Sequence, residues 1–341
     1  MSMNYIFYKY KIYNMNHHHP LIKTSHNFVL DRKVLFIDSN DRDIERWPSA
    51  SEFEINCPQN YTNVESLRLS SIMLPNFFYN ISEQLRTNKM IVEYSNSSTI
   101  ITLDDGYYNY TQLQDALQTK IREIHSDFTT LFSVSYNLID RKYTFLHTKT
   151  NGTAFTFRFD LPINFDCAKD NYKTDVYAQH SNWGLGYILG FDKIKYTSSS
   201  IPQTGGHTHQ QLIATNPSDL EDNKYIYIEL EKYNKCDEIK PFLYYSYNNA
   251  NSGIVNSAFA KIPIYPFQDN KGLVNDGYFE NISYYQPPID KIAKFKLKFR
   301  YHNGMLVDFH NFNVSLSLEI NQIRNEMNNY EVRSPYKVVG H

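Results

Sequence analysis

The feature that most constrains this chain is a two-residue alternation of apolar and polar side chains that recurs along its length. Phe295, Leu297 and Phe299 alternate with Lys294, Lys296, Lys298 and Arg300, and Lys224–Leu230 alternates in the same way. Phe53 and Ile55 alternate with Glu52, Glu54 and Asn56, and Val64–Leu74 repeats the pattern over its middle. A period of two sends successive side chains to opposite faces of an extended backbone. Each run therefore specifies a strand with one buried and one wet face. Runs of this kind predict about a dozen strands.

Adjacent runs read as hairpins. Met90–Tyr94 and Thr99–Leu103 flank a turn at Ser95–Ser98, and Leu131–Tyr136 and Lys142–His147 flank Asn137–Arg141. One segment breaks the period: Leu113, Ala116, Leu117, Ile121 and Ile124 fall at helical spacing. Thr111 followed by Gln114 has capping-box form, so the expectation is a helix over about 111–125. Hairpins with clean alternation specify antiparallel sheets packed face to face, not βαβ units. The expected fold is mainly β, an antiparallel β-sandwich of jelly-roll type with one helix-containing insertion. The expected organisation is an N-terminal arm at 1–30, a sandwich over 31–325 with the inserted helix and hairpin at about 104–192, and a C-terminal tail at 326–341. Residues 193–223, which contain Gly205, Gly206, His207 and His209, read as a polar loop.

Composition excludes several function classes. The chain has 29 Tyr and 22 Phe, residue types that favour strands and half-buried contact surfaces. A net charge of -2 gives no general footprint for nucleic acid. Cys57, Cys167 and Cys236 form no CxxC pair, so neither a disulfide framework nor a zinc site is indicated. No run approaches the ~18 apolar residues of a membrane helix. Phosphate-loop, zinc-protease and nucleophile-elbow motifs are absent. Gly184, Gly186 and Gly190 are spaced as G-x-G-x-x-x-G with apolar residues between, which fits close packing and not a phosphate cradle. His207 and His209 lack further ligands nearby. Asp38, Asp41, Asp43 and Glu45 lack the glycine and distal glutamate of a calcium loop and read as turn chemistry. No catalytic residue, metal ligand or cofactor is expected, and no small-molecule substrate.

The features left are surface features. Lys294, Lys296, Lys298 and Arg300 share one face of a strand and read as a wet sheet face or as a docking strip for an acidic partner. Trp47, Tyr244 and Tyr245 are aromatic side chains available for contact, including stacking on sugar rings.

The order of segments carries a resemblance. Phe36–Phe53, running through Asp38-Ser-Asn-Asp-Arg-Asp and Trp47-Pro, is followed by Tyr61–Leu69 and then Leu74-Pro-Asn-Phe-Phe-Tyr79. Later come Asp105-Gly-Tyr-Tyr108, Leu185–Phe191 and Phe299–Phe309. Over roughly residues 33–322 this sequence resembles virion proteins of nucleocytoplasmic large DNA viruses, in the minor capsid or penton class. The resemblance implies a jelly-roll sandwich, no enzymatic activity, folding in the host cytoplasm and a place in the capsid. The partners it implies are the major capsid protein, other minor capsid proteins and a possible homo-oligomer. A carbohydrate- or receptor-binding β-sandwich on the particle surface is the alternative.

Overall fold

Alternation becomes strand along most of the chain. The computed structural model describes residues 28–75, 78–161, 163, 184–220, 224–239, 255–264, 273–274, 282–302 and 304–325. In chain order the strands are β1 (Phe28–Asp38), β2 (Glu52–Leu74), β3 (Lys89–Tyr94), β4 (Ser97–Thr102), β5 (Phe132–Asn137), β6 (Lys142–His147), β7 (Thr156–Arg158), β8 (Lys195–Thr197), β9 (Ser199–Pro202) and β10 (Thr208–Ile213). They continue with β11 (Tyr225–Leu230), β12 (Cys236–Ile239), β13 (Val255–Ala258), β14 (Ala260–Pro263), β15 (Leu273–Val274), β16 (Ile282–Arg300) and β17 (Ser315–Asn325). The helices are α1 (Tyr110–Arg122) and the short α2 (Leu185–Ile188). The expected mainly β, antiparallel architecture is what the chain adopts.

The largest sheet runs β1-β17-β2-β16-β11-β14, with β15 on the end of β2. Its long strands β2 and β16 pass through two halves. Residues 64–74 of β2 pair with β17 and with the start of β16, while Glu52–Thr62 pair with the second part of β16. The register between β2 and β16 shifts twice, between Tyr284 and Ile289 and between Ile292 and Lys294. Pro287 and Pro288 fall in the first gap, where a residue without an N–H cannot hold the ladder. Such irregularities bend a strand, so the sheet curls in the manner of a jelly-roll sandwich around one core. Phe53, Leu67, Leu69, Ile72, Ile228, Phe295, Leu297, Phe299, Leu318 and Ile320 belong to that core.

Between β2 and β11 the chain builds a second core, drawn from Ile81 to Leu220. Two four-stranded sheets, β4-β3-β7-β8 and β5-β6-β10-β9, enclose it with α1. This part is wider than the 104–192 stretch expected, because the β3–β4 hairpin and β9–β10 join it. Residues Phe155, Phe157 and Phe159 are buried here, each worth about 1.5–3 kcal/mol relative to exposure.

α1 buries Leu113, Leu117 and Ile121, as the spacing predicts. Its capping box is Asn109 with Gln112, not Thr111 with Gln114. Gln114 is needed elsewhere. Its side-chain oxygen accepts from Tyr136 N at 2.9 Å, and that of Gln118 accepts from Val134 N at 3.0 Å. Arg122 Nε donates to Phe132 O at 2.8 Å. The helix thereby covers the outer edge of β5.

Other expectations need correction. Residues 193–223 are not one loop, since β8, β9 and β10 lie there with Gly205 and Gly206 in the turn. The alternation was hidden because β10 turns Gln210 as well as Leu212 inward. Phe28–Leu30, expected within the arm, are the first residues of β1, and the rest of the 1–30 arm (1–27) and the 326–341 tail lie outside the described residues. The glycine reading holds. Gly190 has φ of +85°, and a Cβ there would run into the Asn216 carbonyl oxygen.

Candidate partner-binding surface

The four cations of the strand face acquire partners from β2, from β11 and the turn after it, and from β12. β16 sets Lys296 opposite Glu54 and Lys298 opposite Glu52, while β11 sets Glu229 opposite Lys298. Lys294 Nζ lies 2.9 Å from Glu54, and Lys296 Nζ lies 3.0 Å from Glu52 and 3.6 Å from Glu231. The Glu52 carboxylate, hydrogen-bonded to Lys296, holds the lysine pKa above its ordinary value. Lys298 Nζ is 3.7 Å from Glu52. Arg300 differs from the lysines. It is buried, ion-paired to both Glu229 and Glu238, with the Tyr227 ring 4.8 Å from its guanidinium. The four cations therefore meet five carboxylates (Glu52, Glu54, Glu229, Glu231, Glu238), so the row carries no excess positive charge of its own.

Trp47 joins the same place. Its N–H donates to Asp43 O at 2.7 Å, and its carbonyl accepts from Arg42 Nε at 3.0 Å. Lys296 Nζ stands 5.2 Å from the ring centroid and Arg46 5.4 Å. The structure thus brings Trp47 and the lysine row together. Tyr244 and Tyr245 lie outside the described residues. Asp38 and Asp43 accept hydrogen bonds from backbone N–H groups two and three residues on, which is the turn chemistry expected of them.

A second surface was not singled out from sequence. On the outward side of β1, β17, β2 and β16 the residues fall in rows. Phe36 stands opposite Ser317 and Ser71, Val34 opposite Glu319, Arg68 and Ile282, and Arg32 opposite Asn321, Ser66 and Tyr284. Glu319 accepts from Arg68 at 2.6 Å and pairs with Arg32 at 2.8 Å, and Asn321 donates to Ser66 at 3.0 Å. Around this polar network large apolar groups remain in water: Phe36 is 78% exposed, Leu30 53%, Val34 45%, Met73 54% and Tyr284 59%. The signal in the sequence is Leu30, Val34 and Phe36 at even positions against Leu35 and Ile37 at odd ones.

Pockets offer less. A cavity of about 180 Å³ lies where the two cores meet, lined by Tyr79, Ser82, Gln84, Asp105, Asp308 and His310 among others. It is smaller than the ~300–1,000 Å³ of ligand sites. Among the described residues no group of three or more His, Cys, Asp or Glu could hold a metal ion, and no helix is long and apolar enough to cross a membrane. Burial raises the Cys57 thiol to about 11, away from reactive thiolate chemistry.

Fold and surface together define a mainly β protein that exposes large apolar side chains on a face of its largest sheet. No family model matches the chain, and no curated protein matches it. Among solved structures, the cryo-EM structure of the Sputnik virophage is similar at 12% identity and a TM-score of 0.41, over 86% of this chain and 98% of that one. The mavirus penton protein is similar at 12% identity and a TM-score of 0.38, over 87% of this chain and 99% of that one. At these scores neither comparison assigns the chain to a family.

Proposed function

We propose that the protein is a structural component of a virion, in a minor capsid, vertex or cement position, binding neighbouring capsid proteins through its sheet faces and terminal arms. The observation that carries this reading is the outward face of β1, β17, β2 and β16, where Leu30, Val34, Phe36 and Met73 stay in water. Contiguous exposed apolar side chains mark protein contacts more often than chance decoration. The order of sequence segments shared with virion proteins of large DNA viruses points the same way. In this reading the body over 28–325 supplies rigid contact faces, the part around α1 forms a separate outer element, and 1–27 and 326–341 reach to neighbours. Lys294, Lys298 and the half-buried Trp47 form a second contact area, which a partner meets as a mixed-charge surface.

The sugar-binding alternative gains no support, since the Trp47 ring is already shared by Lys296 and Arg46. The reading is tested by mass spectrometry of purified virions extracted with and without salt. Retention through the salt wash is expected. Absence from intact particles would sink the proposal.

A further inference from the structure

We propose that β1 is a homotypic docking edge, along which two copies of this chain pair antiparallel about a two-fold axis centred on Leu35. A strand at a sheet edge presents unpaired N–H and C=O groups, and natural proteins blunt such edges. This chain does so elsewhere. The β5 edge is covered by Gln114, Gln118 and Arg122 of α1. The β14 edge is four residues long and ends at Pro263, which has no N–H to offer. β1 carries neither device. It has 11 residues without Pro or Gly, and its register with β17 is unshifted from end to end. Among the described residues β17 is its one strand partner.

Two-fold pairing sets one residue opposite itself and fixes every other pair. Centring on Arg32 or Lys33 would put like charges opposite each other, about 5 Å apart at the backbone. Centring on Leu35 keeps like charges apart, with Lys33 set opposite Ile37 of the other copy on the inner face. On the outer face Arg32 meets Asp38 of the other copy, and Val34 meets Phe36 of the other copy, each twice. On the inner face the two Leu35 side chains, already at the rim of the core, meet at the seam. Arg32 has donors to spare beyond Glu319, and Asp38 uses one oxygen on Asn40 N and keeps the other. The pairing would extend the sheet across two copies and draw Val34 and Phe36 out of water.

The test uses the full chain in sedimentation equilibrium over a micromolar series. A dimer is expected. Arg32→Asp and Asp38→Lys each place like charges opposite each other at both ends of the seam, and each alone should weaken dimerisation about tenfold or more. Mixed in equal amounts they restore both pairs, so the heterodimer should regain wild-type affinity. A wild-type monomer throughout would overturn the proposal, as would folded single variants that still dimerise or a mixture that shows no recovery. Should either variant fail to fold, oxidative cross-linking decides. Leu35→Cys should give an inter-chain disulfide, because directly opposed residues fall in the bonding range, and Ile37→Cys should not. The reverse pattern would refute the register. A monomer would leave the virion reading to the particle assay.

Discussion

Replacing Arg300 with Ala separates the buried end of the cation row from its surface members. Arg300 is 3% exposed, and its guanidinium lies between Glu229 and Glu238. Removing one partner of a buried ion pair costs about 3–5 kcal/mol, because the other charge stays buried and uncompensated. Glu229 is 21% exposed and can recover hydration, so the cost rests on Glu238, at 7%. The low end, about 3 kcal/mol, is therefore expected, and for a chain of this length it corresponds to a fall in Tm of about 4 °C. Urea denaturation followed by far-UV circular dichroism reads the loss as a lower midpoint at unchanged slope. Adding Glu238→Gln to Arg300→Ala should recover part of the loss, since a neutral amide is cheaper to bury than a bare carboxylate. Lys294→Ala, by contrast, should change stability by under about 0.5 kcal/mol, as exposed pairs do. A loss below about 1 kcal/mol for Arg300→Ala, or further destabilisation from Glu238→Gln, would refute the reasoning. Arg300 would then be a surface cation open to a partner.

Leu117→Ala should cost about 2–5 kcal/mol in the same measurement, since Leu117 is fully buried between α1 and the second core. Gly190→Ala should cost about 1–3 kcal/mol or more, read as a lower urea midpoint, because a positive φ and the Asn216 carbonyl both oppose a side chain. Stability should also fall with acid in two windows. His147 is fully buried beside Tyr94, Phe128 and Phe132, with the backbone of Asp127 and Thr153 against its ring. Burial lowers its pKa, so below about 6.5 the unfolded chain takes up a proton that the folded one refuses, and stability drops as pH falls towards the folded value. His147→Phe should flatten that slope in denaturation midpoints taken between pH 7 and 5, and an unchanged slope would count against the assignment. Asp127, held below 3.8 by hydrogen bonds from Lys149 and Tyr94 as well as by charge, adds a separate loss only as pH falls through its lower folded value.

Much of the fold was legible because alternation and helical spacing are local signals. The β3–β4 and β5–β6 hairpins and the buried stripe of α1 follow directly from apolar positions a few residues apart. The misreadings share a cause, namely that a distant contact outweighed the local pattern. Gln114 looked like a capping residue, yet a strand edge 22 residues away claims its side chain. Residues 193–223 looked like loop because β9 and β10 are polar, and they are strands because β6 supplies the next ladder. Phe53–Ile55 and Val64–Leu74 read as two strands across Pro58 and the polar Gln59-Asn60, yet one bent strand carries both.

The surface was harder to read, for the same reason at longer range. Lys294, Lys296, Lys298 and Arg300 form one row in the sequence, and nothing near them shows that Glu54 lies 2.9 Å from Lys294 across 240 residues. Strand pairing turns a candidate binding strip into a compensated ladder with one buried member. The converse holds for Val34-Leu35-Phe36-Ile37. Four apolar residues in a row show no alternation that would tell a wet face from a buried one, and only the small and polar neighbours Ser317 and Glu319 reveal that Phe36 and Val34 stand uncovered. A single exposed apolar residue is ordinary on a protein surface. Three on one face of an unprotected edge strand are different, because they add nothing to this chain's own core and invite association. A fold that covers β5 with a helix and ends β14 at a proline has the means to close an edge. Among the described residues it leaves β1 open, which is the ground for the homotypic pairing proposed above.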